Sequence, residues 1–110
     1  MSKKPKDDMA YIEHMLQEIA VIERALLQKR NEFLDRSVTR SLEIIGEASN
    51  NVSKELKAQY SDIPWRDVVD MRNALIHGYF GVSYERIWHV ARVDVPLLKK
   101  QLERLIEELD

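Results

Sequence analysis

The sequence contains no cysteine, which removes disulfide frameworks, thiol nucleophiles and thiolate metal sites from consideration. Glycine and proline are scarce, three of each in 110 residues, whereas an all-β fold would need many more turn residues. No apolar run approaches the roughly 20 residues that a membrane-spanning helix requires. The stretch Met1-Ser2-Lys3-Lys4-Pro5-Lys6-Asp7-Asp8 has no apolar core behind its basic residues, so residues 1–8 read as a short mobile tail and not as a targeting signal. Positive charge is not in excess either: 17 Lys and Arg against 19 Asp and Glu give a formal net charge of −2. Any nucleic-acid site must then be a local basic patch, because the global field does not favour a polyanion. With 45% hydrophobic and 33% charged residues, the composition is that of a soluble globular domain, expected over residues 9–110 and in a reducing cytoplasm.

What is present is helical periodicity. Ile12, Leu16, Ile19, Ile22 and Leu26 recur every three or four residues between about Met9 and Lys29, and Leu34, Val38, Leu42, Ile45, Val52 and Leu56 do so between Asn31 and about Leu56. Gly46 falls inside the second helix, where it costs about 1 kcal/mol relative to alanine; its presence predicts close approach of another backbone. Ser61 or Asp62 is placed to cap a third helix, with Pro64 in its first turn. That helix carries Trp65, Val68, Val69, Arg72, Leu75 and Ile76 on a broad stripe and is ended by Gly78 and Gly81. Ser83 is placed to cap the last helix, with Val82 and Ile87 as a hydrophobic staple. Pro96 should kink or break that helix near Val93 to Val95. These elements predict an all-α, antiparallel four- to five-helix bundle with short connections.

The chemistry concentrates in Arg72-Asn73-Ala74-Leu75-Ile76-His77-Gly78-Tyr79. Arginine is a permanent cation whose planar fork of donors fits phosphate oxygens, and histidine is the side chain best suited to moving protons near neutral pH. Five residues on an α-helix rotate by about 140° and rise by about 7.5 Å, so Arg72 and His77 diverge unless the helix ends after His77 or a second copy faces the first across a two-fold interface. Together the pair could cut RNA without metal. His77 would move a proton at the 2′-hydroxyl or the leaving 5′-oxygen, and Arg72 would stabilise the extra negative charge of the pentacoordinate transition state. Asn73 would donate to phosphate or orient His77. The phenol of Tyr79 is a poor base and fits better as a donor or a modifiable hydroxyl. Against this stands a plain reading, in which Arg72 pairs with Asp67, Asp70 or a glutamate, His77 caps a helix and Tyr79 packs; the spacing alone is common.

Three blocks sharpen the choice. Ser41-Leu42-Glu43-Ile44-Ile45-Gly46-Glu47-Ala48-Ser49-Asn50-Asn51-Val52-Ser53, then Ile63 through Phe80, then Val93-Asp94-Val95-Pro96-Leu97-Leu98 resemble, in order, the IGEA helix, the central block and the DxPxL turn of HepT-like proteins, a branch of the HEPN superfamily. The resemblance spans roughly residues 38 to 100. It implies an all-α HEPN domain, a two-fold symmetric homodimer with the R-x4-H motifs lining the cleft between subunits, and metal-independent cleavage of RNA. It implies the toxin of a type VII toxin–antitoxin pair, neutralised by an MNT-type nucleotidyltransferase antitoxin. Carried onto this chain, Arg72 and His77 are catalytic, Asn73 is a polar support and Tyr79 is the adenylylation target, with a bulky anion there closing the cleft to RNA.

Other residues divide between a function and a plain role. Glu47 is either a carboxylate that orients Arg72 or His77, or a surface glutamate. Arg66, Arg86 and Arg92 could form the local basic patch, Arg66 and Arg86 being the RNA-binding candidates, or could pair with neighbouring acids. Trp65 and Trp88 are expected in the core. His14 and His89 are isolated within helices and lack partners at metal-ligand spacing, so no metal and no cofactor are expected. An alternative from a different class is a non-catalytic dimeric HEPN module that docks a nucleotidyltransferase; a third is a purely structural helical dimer.

Overall fold

The computed structural model describes residues 5–78 and 82–109. The described residues form α1 (Pro5–Leu26), α2 (Glu32–Asn51), α3 (Lys54–Gln59), α4 (Trp65–His77), α5 (Tyr84–His89), a π-helical segment (Val90–Asp94) and α6 (Val95–Leu109), with no strand among them. Because the backbone stays helical at His89, Val90 and Val95, α5, the π segment and α6 make one continuous rod. The all-α fold of about five helical members is therefore as expected.

The helices α1 and α2 run antiparallel, as two contacts fix. Asp8, near the start of α1, meets Ser53, just past the end of α2, and Glu18 accepts a hydrogen bond from Ser41. Their seam holds Ile12, Met15, Ile19 and Ile22 against Val38, Leu42 and Ile45, and the rod adds Trp88, Ala91, Val95, Leu98, Leu102 and Leu105. Each fully buried aliphatic or aromatic side chain contributes about 2 kcal/mol of transfer free energy, so this three-member core carries the fold. By contrast α4 packs extensively only on α2. Trp65 is its one buried residue, while Val68, Met71 and Leu75 are half-buried.

Several boundaries differ from the sequence reading. The expected tail is already helical from Pro5, and Asp8 is buried because both of its carboxylate oxygens are used. The Ser53 N–H donates to one at 2.8 Å and the Ser53 hydroxyl to the other at 2.6 Å. The same serine ends the second helix early. Ser53 caps α3, its Oγ accepting from the Leu56 N–H at 3.2 Å, so Leu56 belongs to a separate short helix. Neither Ser61 nor Asp62 caps α4: Pro64 occupies the cap position without a side-chain hydrogen bond. Asp62 is drawn instead to Arg104, 2.5 Å away.

Pro96 does not break the last helix. The segment before it widens to π geometry, and the Val95 N–H bonds to the Val90 carbonyl five residues back. Widening the turn accommodates a ring that lacks an N–H and would crowd the preceding carbonyls. Asn31 caps α2 through the Leu34 N–H at 2.9 Å, and Ser83 caps α5 through the Arg86 N–H at 3.2 Å.

Candidate active site

The α4 helix carries both motif residues, and α2 determines where the first of them lies. Gly46 is buried in the α2–α4 seam. A Cβ built there would overlap the Arg72 Cβ and lie 2.9 Å from its Cγ and 3.0 Å from the Val68 carbonyl oxygen. The glycine predicted to admit another backbone thus admits α4, at the turn that bears Arg72.

The guanidinium of Arg72 is half-buried and unusually placed. Its Nη1 donates to the Asn73 Oδ1 at 2.8 Å, and its Nε is buried with no hydrogen-bond partner among the described residues. No carboxylate among the described residues lies within ion-pair distance of it. Asp70, one of the partners the plain reading offered, faces Arg66 instead at 3.9 Å. Asn73 was expected to serve phosphate or His77; its amide oxygen steadies Arg72 and leaves the amide N–H groups for other acceptors.

His77 is the last residue of α4 and is exposed. The helix stops there because Gly78 takes the left-handed conformation, φ 63° and ψ 35°, its N–H bonding to the Ala74 carbonyl. A residue with a Cβ is strained in that region, so the helix end required by the motif is built by glycine. Since His77 itself is still helical, Arg72 and His77 point apart by about 140° within one chain. Arg66, Asp70, Asn73 and His77 recur on one face at helical spacing, with Arg66 about 16 Å of helix away from His77.

The remaining candidates are scattered. Glu47 is exposed on α2 and forms no ion pair with Arg72. Arg86 is exposed at the start of α5 and borders a groove of about 820 Å³ between α4 and the rod. Leu42, Val68, Met71, Ala74 and Leu98 line that groove, together with Asp67 and Asp94. Neither Arg72 nor His77 lines it. Tyr79 lies outside the described residues. His14 and His89 are exposed on separate helices, and no group of three potential metal ligands occurs among the described residues.

The sequence reading missed a cluster around Trp88, which is buried as expected of a core residue. Its Nε1 donates to Asp35 at 2.6 Å, and Arg30 donates to the same oxygen at 2.7 Å. The guanidinium groups of Arg30 and Arg92 lie 5.6 and 5.3 Å from the indole centroid, within cation–π range. Burial pushes the Asp35 carboxyl up, but the hydrogen bonds from Arg30 and Trp88 and the charge of Arg30 outweigh it and hold the carboxyl below its ordinary value. Arg92, a candidate for the basic patch, thus packs on an indole that belongs to the core. Spacing gives no hint of this cluster, because Asp35 and Trp88 are 53 residues apart.

Comparison with known proteins supplies the frame for this geometry. The family model described as "Ribonuclease HepT-like" matches residues 7–105. "Putative RNase TTE0752" of Caldanaerobacter subterraneus subsp. tengcongensis is 40% identical over 109 residues, covering 94% of this chain and 97% of the relative. "Probable ribonuclease HepT" of Thermococcus cleftensis is 38% identical over 114 residues, covering 96% of this chain and 98% of the relative. "Gamma-glutamylcyclotransferase and putative RNase MJ0434" of Methanocaldococcus jannaschii is 39% identical over 111 residues, and there the chain spans 50% of the relative's length. No solved structure matches.

Proposed function

The chain belongs to the ribonuclease HepT-like family, and on that premise we propose that it is a metal-independent RNA endonuclease acting as the toxin of a toxin–antitoxin pair. The observation that carries the reading is Arg72: a permanent cation held half-buried with no carboxylate partner among the described residues, on the same helix as an exposed His77. A charge placed this way is costly unless an anion visits it. A phosphodiester is the anion that the family's activity supplies.

In the proposed reaction the RNA 2′-oxygen attacks the adjacent phosphorus and the bond to the 5′-oxygen breaks. One proton leaves the 2′-hydroxyl and one reaches the departing 5′-oxygen, giving a 2′,3′-cyclic phosphate and a 5′-hydroxyl. His77 carries one of these protons, and Arg72, steadied by Asn73, stabilises the charge that grows on the phosphoryl oxygens. Two proton transfers at opposite faces of one phosphate call for two groups. A homodimer supplies them by presenting two His77 and two Arg72 in one cleft, and this also answers the divergence of the pair within a single chain. Ile76, an exposed large apolar residue next to His77 on α4, suits such pairing. Arg66 and Arg86 hold the flanking backbone, and an MNT-type nucleotidyltransferase neutralises the toxin by adenylylating Tyr79.

The test is cleavage of an RNA oligonucleotide by the purified chain in the presence of a chelator. Arg72→Ala and His77→Ala should each lower kcat on the order of 100-fold or more while remaining folded and dimeric. Cleavage by either variant at the parent's rate would sink the assignment. Harmless expression of the parent, with tight binding to a nucleotidyltransferase and no turnover of RNA, would support the docking-module alternative.

A further inference from the structure

We propose that Gly46 is a positioning residue for the reaction: its missing side chain is the seat that fixes where Arg72 presents its guanidinium. The inference rests on the ribonuclease reading and adds a residue to it. Three observations converge. The atoms that a Cβ at Gly46 would meet first are the Arg72 Cβ and Cγ, the root of the side chain and not its flexible end. The next is the Val68 carbonyl, 3.0 Å away and one turn earlier on α4. Further out, the Arg72 Nε is buried without a partner while Nη1 is tied to Asn73, so the guanidinium is already restrained along one edge.

The surrounding architecture makes this contact decisive. Because α4 packs extensively only on α2, its distance and rotation are set along that one seam, and at Gly46 the seam leaves no room for a Cβ. A methyl group there cannot be absorbed by a rotamer change, since Cβ atoms move only with their backbone. The helix α4 must shift or rotate, and Arg72 moves with it. His77 and Gly78 sit more than a turn beyond and move less if α4 tilts about its far end. The expected consequence is a change in the relation of the phosphate-binding cation to the proton carrier, with substrate still able to bind.

Gly46→Ala in the full chain tests this. Expected are a circular dichroism spectrum and oligomeric size like the parent's, KM within about twofold, and kcat lower on the order of 100-fold, as a displacement of about 1 Å can produce. The Arg72 Nε–H resonance should shift and exchange faster with solvent. A kcat per folded molecule equal to the parent's, or an unmoved Nε–H resonance, overturns the proposal. If Gly46→Ala fails to fold, the pair Gly46→Ala with Arg72→Gly decides. Removing the opposing Cβ should recover folding if Arg72 is what the glycine seats, and no recovery overturns it. A parent chain that cleaves no RNA refutes the ribonuclease reading by itself, whereas the resonance and the folding rescue still judge the seat of Arg72.

Discussion

Asp35 shows how much a single side chain can join. One of its oxygens accepts from both Trp88 and Arg30, at 2.6 and 2.7 Å, linking the start of α2 to the rod and to the α1–α2 connection. Its carboxyl is held below the ordinary value, so the folded state favours the charged form. A group depressed in this way contributes stability above its unfolded pKa, about 3.9 for aspartate, and loses it as pH falls through the folded pKa. Asp35→Asn should therefore lower Tm near neutral pH and make Tm fall less steeply below about pH 4 than in the parent. Thermal melts from about pH 2.5 to 7, spanning that range, check this, and parallel curves for the two proteins would contradict it. At this scale the sequence was legible where chemistry is local. Arg72 and His77 as a candidate pair can be read from residue type and spacing, as can the core placement of Trp88. The partners of Arg72 do not, because choosing between Asp70 and Asn73 depends on rotamers and on which face of α4 is covered.

Among the elements, the legible features were those written in periodicity and the illegible ones were those set by distant contacts. The apolar repeat runs through Val52 and Leu56 without interruption, yet the chain breaks there because Asp8, 45 residues away, binds Ser53. Ser53 therefore does two jobs: it caps α3 and it satisfies a buried carboxylate. Losing a cap costs about 1 kcal/mol, and a buried charge deprived of a hydrogen bond costs about 1–3 kcal/mol more. Ser53→Ala should thus destabilise the protein by about 2–4 kcal/mol in urea unfolding. Ser83→Ala removes an exposed cap with no such second partner among the described residues and should cost about 1 kcal/mol. Equal destabilisation by the two variants would mean that the Asp8 hydrogen bond contributes nothing. The end of α4 belongs to the other class. Gly78 announces it in the sequence, and a Cβ there would meet nothing within 4 Å among the described residues. Gly78→Ala should consequently cost only the backbone strain of the left-handed region, about 1–2 kcal/mol.

For the whole molecule, with a net charge of −2, the proposed RNA site depends on how the cations are partitioned. Several of its cations are engaged: Arg30 with Asp35, Arg36 with Glu32, Arg40 with Glu43, Lys99 with Glu23 and Arg104 with Asp62. Among the described residues, Arg72 has no such partner, Arg66 has only a loose one at 3.9 Å, and Arg86 has none within ion-pair distance. Composition gives the total charge but not this partition, which depends on which acids the bundle brings beside which bases. The groove between α4 and the rod was invisible for a similar reason, since unfilled space leaves no pattern in a sequence. A site that draws on these three cations alone predicts weakly salt-dependent binding. Each phosphate neutralised on a single strand contributes about −0.7 to the slope of log K against log salt. Arg66, Arg72 and Arg86 of one protomer should then give a slope of about −2, and a two-fold cleft using both sets about −4. Binding of a non-cleavable RNA to His77→Ala, measured between about 50 and 300 mM salt, reads the slope. Arg66→Ala or Arg86→Ala, added to that variant, should lower its magnitude by about 0.7 for each cation withdrawn from a phosphate. A slope steeper than about −6 would require cations beyond these three, and would extend the RNA path beyond α4 and the start of α5.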